Sequence, residues 1–294
     1  MLNQYHLTNA IGNTPLVKLN NLFPNQRIFA KLEGQNPGGS IKDRPAKFMI
    51  LEAIKRGELT KNKTILEATS GNMGISLSMI GSSLGFKVQI LMSSGMSEER
   101  KQILRSLGAK LILTDPKKGT IGAIYQAKRM VKQNPNKYWF SNQFENPNNP
   151  LSYEDSLGPE IINNLPKVDY IVGGIGTSGT MVGLARFFKQ NSPKTKIIAV
   201  IPPKGFKIQG IQNPKEDFRP KILEEHLFDK KILVSEKESF DFVKILAQKE
   251  GILGGLSSGA VLSSTKKINI PSKKNIVLIL ADRGEKYLST GAFF

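Results

Sequence analysis

The residues with the clearest chemical potential lie in loops, and the first of them is Lys42. It sits in Asn-Pro-Gly-Gly-Ser-Ile-Lys-Asp-Arg-Pro-Ala, residues 36–46. Pro45 suits the first turn of a helix, and the apolar periodicity of residues 44–57 predicts one there. Lys42 is therefore expected at a loop-to-helix junction beside Gly38, Gly39 and Ser40, whose small side chains leave room for a large group. An amine so placed can react with an aldehyde, although a solvated lysine would read the same way in a chain with 42 basic residues. Residues 68–74, Ala-Thr-Ser-Gly-Asn-Met-Gly, form the second candidate. Hydroxyls and free N–H groups at a helix start suit a carboxylate or phosphate, and the same residues are ordinary caps.

A third loop, Gly-Gly-Ile-Gly-Thr-Ser-Gly-Thr at 173–180, matches the spacing G-x-G-x-x-G at Gly174, Gly176 and Gly179. A dinucleotide site would need an acidic residue about 20 positions on, at the end of the next strand. That strand ends Ala-Val-Ile-Pro-Pro at 199–203, with no acid. Two threonines and a serine between glycines suit a terminal phosphate surrounded by amides and hydroxyls. A fourth run, Gly-Gly-Leu-Ser-Ser-Gly-Ala at 254–260, also opens a helix. A lysine that can take an aldehyde and a cup that can take a phosphate point together to pyridoxal phosphate, held as a Schiff base on the lysine.

These loops must be positioned by strands and helices, and the pattern supplies them in alternation. Strands are predicted at 28–33, 64–67, 87–92, 110–114, 168–172, 196–201, 231–234 and 275–280. Helices are predicted at 44–57, 73–84, 98–107, 119–132, 155–165, 180–190, 237–249 and 258–267. Short β runs alternating with helices imply α/β lobes with largely parallel sheets, with ligands at the C-terminal ends of the strands. The Pro- and Asn-rich stretch 142–150 separates two such series, so two lobes with a cleft between them are expected.

Composition narrows the chemistry. The 294 residues, 39% hydrophobic with 27 glycines, suffice for two lobes with full cores. There is no cysteine, which removes disulfides, thiolate nucleophiles and cysteine–metal sites. His6 and His226 are the only histidines, which argues against a histidine-rich metal site and a Ser-His-Asp triad. No apolar run reaches the ~20 residues that span a bilayer, and no signal peptide is recognisable, so a cytoplasmic protein without membrane partners is expected. The net charge of +18 is dispersed in lysine doublets without aromatic interleaving. Solvated faces, rather than a nucleic-acid surface, are the reading; the diffuse positive field favours anionic small molecules.

In these motifs the chain resembles the O-acetylserine sulfhydrylases (cysteine synthases). The likeness rests on the Lys42 loop, Thr-Ser-Gly-Asn-Met-Gly at 69–74 and Gly-Ile-Gly-Thr-Ser-Gly-Thr at 174–180. It extends to Ile-Gly-Asn-Thr-Pro-Leu-Val-Lys-Leu at 11–19, Ser-Ser-Gly-Ala at 257–260 and Asp-Arg-Gly-Glu-Lys-Tyr-Leu-Ser-Thr-Gly at 282–291. The Asp-Arg-Gly ending resembles the B-type enzyme more than the A-type. The resemblance implies a two-lobed type II pyridoxal-phosphate fold, usually a homodimer. Its smaller, mobile substrate-binding lobe would comprise residues 1–12 and 35–145, and its larger cofactor-phosphate-binding lobe 13–34 and 146–294. It implies that Lys42 holds the cofactor and moves the substrate α-proton, and that Asn72 bonds the ring hydroxyl. Gly176, Thr177, Ser178, Gly179 and Thr180 would hold the phosphate, and Ser257 would meet the pyridine nitrogen. Thr69, Ser70 and Gln143, with Gly71 and Met73 in the same loop, would bind the substrate. The implied reaction is β-replacement through an aminoacrylate, from O-acetylserine and a sulfur nucleophile to L-cysteine. Cystathionine β-synthases and serine or threonine dehydratases use related sites, and a non-enzymatic pyridoxal-phosphate sensor or carrier would keep the same binding residues.

Two departures from the family pattern stand out. Met73 replaces a threonine of the substrate loop, which would make the carboxylate pocket more apolar. Gln212 and Asn213 stand where B-type enzymes carry arginines, which would remove attraction for an anionic nucleophile such as thiosulfate. Asp282 and Arg283 are expected to shape the C-terminal turn.

Overall fold

A computed structural model of the chain describes residues 6–69, 71–213, 219–269 and 271–293. The strands are β1 (Leu16–Lys18), β2 (Arg27–Leu32), β3 (Thr64–Ala68), β4 (Val88–Ser93), β5 (Lys110–Thr114), β6 (Tyr138–Phe140), β7 (Tyr170–Gly174), β8 (Lys196–Ile201), β9 (Lys230–Leu233) and β10 (Asn275–Leu280). The α-helices are α1 (Asp43–Lys55), α2 (Asn72–Ser83), α3 (Glu98–Ser106), α4 (Gly119–Gln133), α5 (Asn148–Glu154), α6 (Leu157–Asn164), α7 (Gly179–Asn191), α8 (Glu236–Glu250) and α9 (Leu256–Ser264). The expected α/β alternation is present. Three short elements, β1, β6 and α5, are absent from the sequence reading because three to seven residues carry too little periodicity. The helix expected at 155–165 is α6, Leu157–Asn164, and α5 precedes it, ending at Glu154.

The chain divides into two compact units, residues 1–11 with 42–149, and residues 12–41 with 150–294. It passes between them at 11/12, 41/42 and 149/150, against expected crossings at 12/13, 34/35 and 145/146. Residues 34–41 belong to the second unit because hydrogen bonds with residues 281–283, two of the three backbone-to-backbone, hold them there. Ile41 N donates to Ala281 O (2.8 Å), Arg283 N to Gly39 O (3.2 Å) and Arg283 Nε to Gly34 O (2.6 Å).

The first unit carries a four-stranded parallel sheet in the order β5-β4-β3-β6. Its two faces are covered by separate apolar layers. Met49, Ile50, Met73, Leu77 and Ile80 from α1 and α2 pack with Ile65 and Ile90, while Ala123, Ile124 and Ala127 from α4 pack with Leu66 and Leu91. From β3 the chain runs outward through β4 and β5, then returns to place β6 on the other side of β3. The order therefore reverses between β3 and β6, and the loops leaving those two strands face one crevice.

The second unit carries a six-stranded sheet, β1-β2-β10-β7-β8-β9, parallel except for the β1–β2 pair. Its central strand β10 reads Asn-Ile-Val-Leu-Ile-Leu and is buried throughout, the run expected of a strand covered on both faces. Fully burying each such aliphatic side chain stabilises the fold by about 1.5–3 kcal/mol. Here the order reverses between β7 and β10, so the loop after β7 opens at the corresponding crevice.

Candidate active site

In the first unit, Lys42 is the N-cap residue of α1, and its carbonyl accepts from Ala46 N (3.1 Å). The next residue, buried Asp43, begins the helix, where a carboxylate meets the positive end of the dipole. Asp43 Oδ1 accepts from Ser76 Oγ at 2.5 Å. That bond ties the start of α1 to the second turn of α2, bringing Lys42 to the end of the unit where Asn72 opens α2. The half-buried side chain of Lys42 starts from a fixed backbone.

Thr69 and Gly71 lie between β3 and α2, and Ser70 lies outside the described residues. The Thr69 hydroxyl accepts from Gly71 N (3.2 Å), closing the loop on itself. Gly74 packs tightly under the loop, since a Cβ there would stand 3.0 Å from Thr69 Cγ2 and 3.3 Å from Leu104 Cδ2. Met73 is 1% exposed and packs into the apolar layer with Met49 and Leu77. It supports the loop from below. Gln143 follows β6, whose register with β3 sets Phe140 against Leu66, so that residues 141–143 run beside residues 67–69.

At the centre of this arrangement is Glu67, which the sequence reading passed over as part of a strand. It accepts Ser141 Oγ–H (2.5 Å) and Gln143 N–H (3.3 Å) on Oε2, and Ala68 N–H (2.8 Å) on Oε1. The Gln143 side-chain amide also donates to it. Complete burial pushes the carboxyl up to about 7 against these four hydrogen bonds. A single acid inside an otherwise apolar strand was the signal available in the sequence. The raised value fixes the sign of a pH effect. Stability conferred relative to an unfolded carboxyl near 4.5 is full below that value and is lost as pH rises through about 7. Between pH 5 and 8, urea unfolding of the wild type should therefore lose about 2–3 kcal/mol that the variant Glu67→Gln retains. Parallel pH profiles of the two proteins would refute this assignment.

The second unit presents the Gly174–Thr180 loop at the start of α7. Ser178 adopts a left-handed backbone (φ 71°), uncommon for a residue with a side chain. Its hydroxyl donates to Thr177 O and makes no cap bond to the first turn of α7, leaving that turn's amides uncapped by it. Gly176 is needed where the backbone comes close, since a Cβ on it would lie 2.8 Å from Gly210 O. Gly210 itself has φ 90°, and a Cβ there would lie 3.8 Å from Ser257 Cβ. Gly210 thus brings the loop and Ser257 together, a role that sequence spacing did not reveal. Ser257 stands in the first turn of α9, which begins two residues earlier than expected. Gln212 N donates to Ile175 O (2.8 Å), which sets Gln212 beside the loop, and Asn213 Nδ2 donates to Pro202 O (3.2 Å) after β8.

The turn at Asp282 and Arg283 joins the two loops that flank this region. Asp282 pairs with Ser40 and Arg283 with Gly254 as backbone bridges, and Tyr287 Oη donates to Asp282 Oδ2 (2.7 Å). A Cβ on Gly255 would meet Asp282 Oδ1 at 2.0 Å, so that glycine cannot be replaced without moving the turn. Among the described residues there is no cluster of His, Asp or Glu suited to a metal ion, and no helix long and apolar enough to cross a membrane.

A cradle of backbone amides and buried hydroxyls at a helix N-terminus, closed by glycines that cannot carry a Cβ, fits a phosphate group. Residues 7–282 match the family of pyridoxal-phosphate dependent enzymes, and the chain belongs to that family. Within it, the chain is 40% identical to cysteine synthase A of Escherichia coli (strain K12), over 97% of this chain and 94% of that protein. It is 38% identical to cysteine synthase B of the same organism, over 98% and 95%. Among solved structures, an O-ureido-L-serine synthase superposes with a TM-score of 0.94 at 30% identity, covering 100% of this chain and 96% of that one. Identities of 40% and 38% do not separate the A and B types.

Proposed function

We propose that this chain is a cysteine synthase, which makes L-cysteine and acetate from O-acetylserine and sulfide with pyridoxal phosphate. The observation that carries this reading is near-full-length similarity to cysteine synthases together with Lys42 held at a helix start. The bound cofactor supplies an electron sink, which lets an amino acid lose its α-proton and its β-substituent. Lys42 Nζ would anchor the cofactor and carry the proton to and from the substrate Cα. The first turn of α7, with Thr177, Ser178 and Thr180, would hold the phosphate. Asn72 and Ser257 would hydrogen-bond the ring hydroxyl and the ring nitrogen. A neutral serine leaves the nitrogen without a counter-charge, which favours expulsion of a β-substituent over transamination. Thr69, Ser70, Gly71 and Gln143 would receive the substrate carboxylate. The enzyme would act as a cytoplasmic homodimer.

The reading is tested on the purified protein loaded with pyridoxal phosphate. A yellow protein, bleached by hydroxylamine, that forms cysteine from O-acetylserine and sulfide supports it. A screen crossing O-acetylserine, O-phosphoserine, serine and cysteine with sulfide, thiosulfate and homocysteine distinguishes the related activities. Turnover with homocysteine alone would move the chain to a cystathionine-forming class.

Gln212 and Asn213 lead to a specific expectation within that screen. Loss of a well-placed charge contact costs about 1.5–3 kcal/mol, or about ten- to a hundredfold. The diffuse charge of +18 does not replace it, because salt screens exposed charge within ~8–10 Å. Sulfide should therefore exceed thiosulfate in kcat/KM by at least about tenfold in competition at fixed O-acetylserine. Equal values would show that charge at positions 212 and 213 does not matter.

A further inference from the structure

Glu67 is out of place by every rule that shapes its surroundings. Its strand lies inside a parallel sheet covered on both faces, and Ile65, Leu66 and Ala68 beside it are apolar and buried. A carboxyl group at such a position costs free energy that an aliphatic residue would not. Each hydrogen bond described for it is donated to it, from Ser141 Oγ, Gln143 N, the Gln143 amide and Ala68 N. These four bonds favour the charged form and work against the burial that disfavours it.

The donors have a common location. Ala68 immediately precedes Thr69, and Ser141 and Gln143 leave the strand on the other side of the sheet's reversal point. Ser141 N also donates to Leu66 O (3.1 Å), and Asn149 Nδ2 donates to Gln143 O (2.7 Å). Gln143 is 3% exposed and is fixed through its backbone N–H, its carbonyl and its side chain. Without Glu67, three of the hydrogen bonds joining residues 141–143 to the β3 end would be lost.

We propose that Glu67 is the positioning residue of the substrate-carboxylate clamp: it locks Ser141 and Gln143 against the Thr69 loop so that the amino-acid substrate is bound in register. The proposal rests on the cysteine synthase reading and adds a residue that touches neither substrate nor cofactor. Because Glu67 acts through groups that bind the unreacting carboxylate, its removal weakens substrate binding more than it slows the chemical step.

The test uses the cofactor-loaded enzyme and the variant Glu67→Gln, which keeps the shape but turns one acceptor into a donor facing other donors. KM for O-acetylserine should rise at least about tenfold while kcat at saturating substrate stays within about threefold. Hydrogen exchange in residues 141–146 should accelerate about tenfold, while β10 keeps its protection. Unchanged KM and unchanged exchange would overturn the proposal. A tenfold fall in kcat with unchanged KM would overturn it too, since it would place Glu67 at the reacting atoms. Wild-type enzyme that forms no cysteine would defeat the functional reading; the exchange measurement would then decide the role of Glu67, unchanged exchange counting against it. Should Glu67→Gln fail to fold, Ser141→Ala removes a single donor and must raise the same KM, and an unaltered KM there sinks the idea.

Discussion

Lys42→Ala should reduce cysteine formation at least a thousandfold while leaving the protein folded. The proposed roles of the lysine both need an amine, one as the anchor of the cofactor's aldehyde and the other as the base at the substrate Cα. Loss of a positioned general base alone costs about 10²–10⁴ in rate. The fold should tolerate the change. The backbone bond from Ala46 N to Lys42 O does not involve the side chain, and that side chain makes no cap bond for alanine to lose. Asp43 and its bond from Ser76 also remain in place. The measurement is kcat with saturating pyridoxal phosphate and O-acetylserine, beside a thermal unfolding curve. A variant that unfolds as the wild type does and makes cysteine at the wild-type rate would remove Lys42 from the mechanism.

Gly176→Ala should weaken pyridoxal-phosphate binding by about tenfold or more. The added Cβ would stand 2.8 Å from Gly210 O, and the obstruction is backbone, which cannot swing aside as a side chain can. Gly210 is itself held at φ 90° beside Ser257, and Gln212 N is bonded to Ile175 O on the other side. The strain must therefore open the loop, carrying the α7 amides and the Thr177 hydroxyl away from a phosphate. One lost hydrogen bond to a charged group is worth about 1.5–3 kcal/mol, enough for the stated loss. Titrating the cofactor-free proteins with pyridoxal phosphate and following absorbance gives the dissociation constants. Equal constants would mean that this loop does not hold the phosphate. Low cofactor affinity in a normally folded variant would localise the effect to the loop.

Glu67 shows what each level of description contributes. In sequence it is one acid in Thr-Ile-Leu-Glu-Ala, a signal that marks the residue without naming its partners. Only the return of β6 to the far side of β3 brings Ser141 and Gln143, over seventy positions on, to its Oε2. The Asn-rich stretch 142–150 likewise reads as a linker. In the fold Asn146 Nδ2 caps Ser141 O (2.9 Å), Asn149 holds Gln143 O, and α5 begins at Asn148. Local polarity signals a loop, but what anchors the loop is set by non-local strand pairing.

The sequence by itself determined the alternation of strands and helices, because the change between apolar runs and helical periods is local. It also determined the chemistry of the loops: a lysine among glycines, hydroxyls and amides before Met73, and a glycine-threonine-serine cup before α7. Cysteine's absence and the two distant histidines removed other chemistries without any structure. Tertiary structure alone decided where the chain crosses between its units, since residues 34–41 follow the hydrogen bonds to residues 281–283 and not their own composition. It decided that Met73 lies in the core beneath the loop after β3, because α2 turns that face toward Met49 of α1 and Ile65 of β3. It decided that Gly210 lies against Gly176 in the loop before α7, because a close approach of two backbones has no signature in either segment alone.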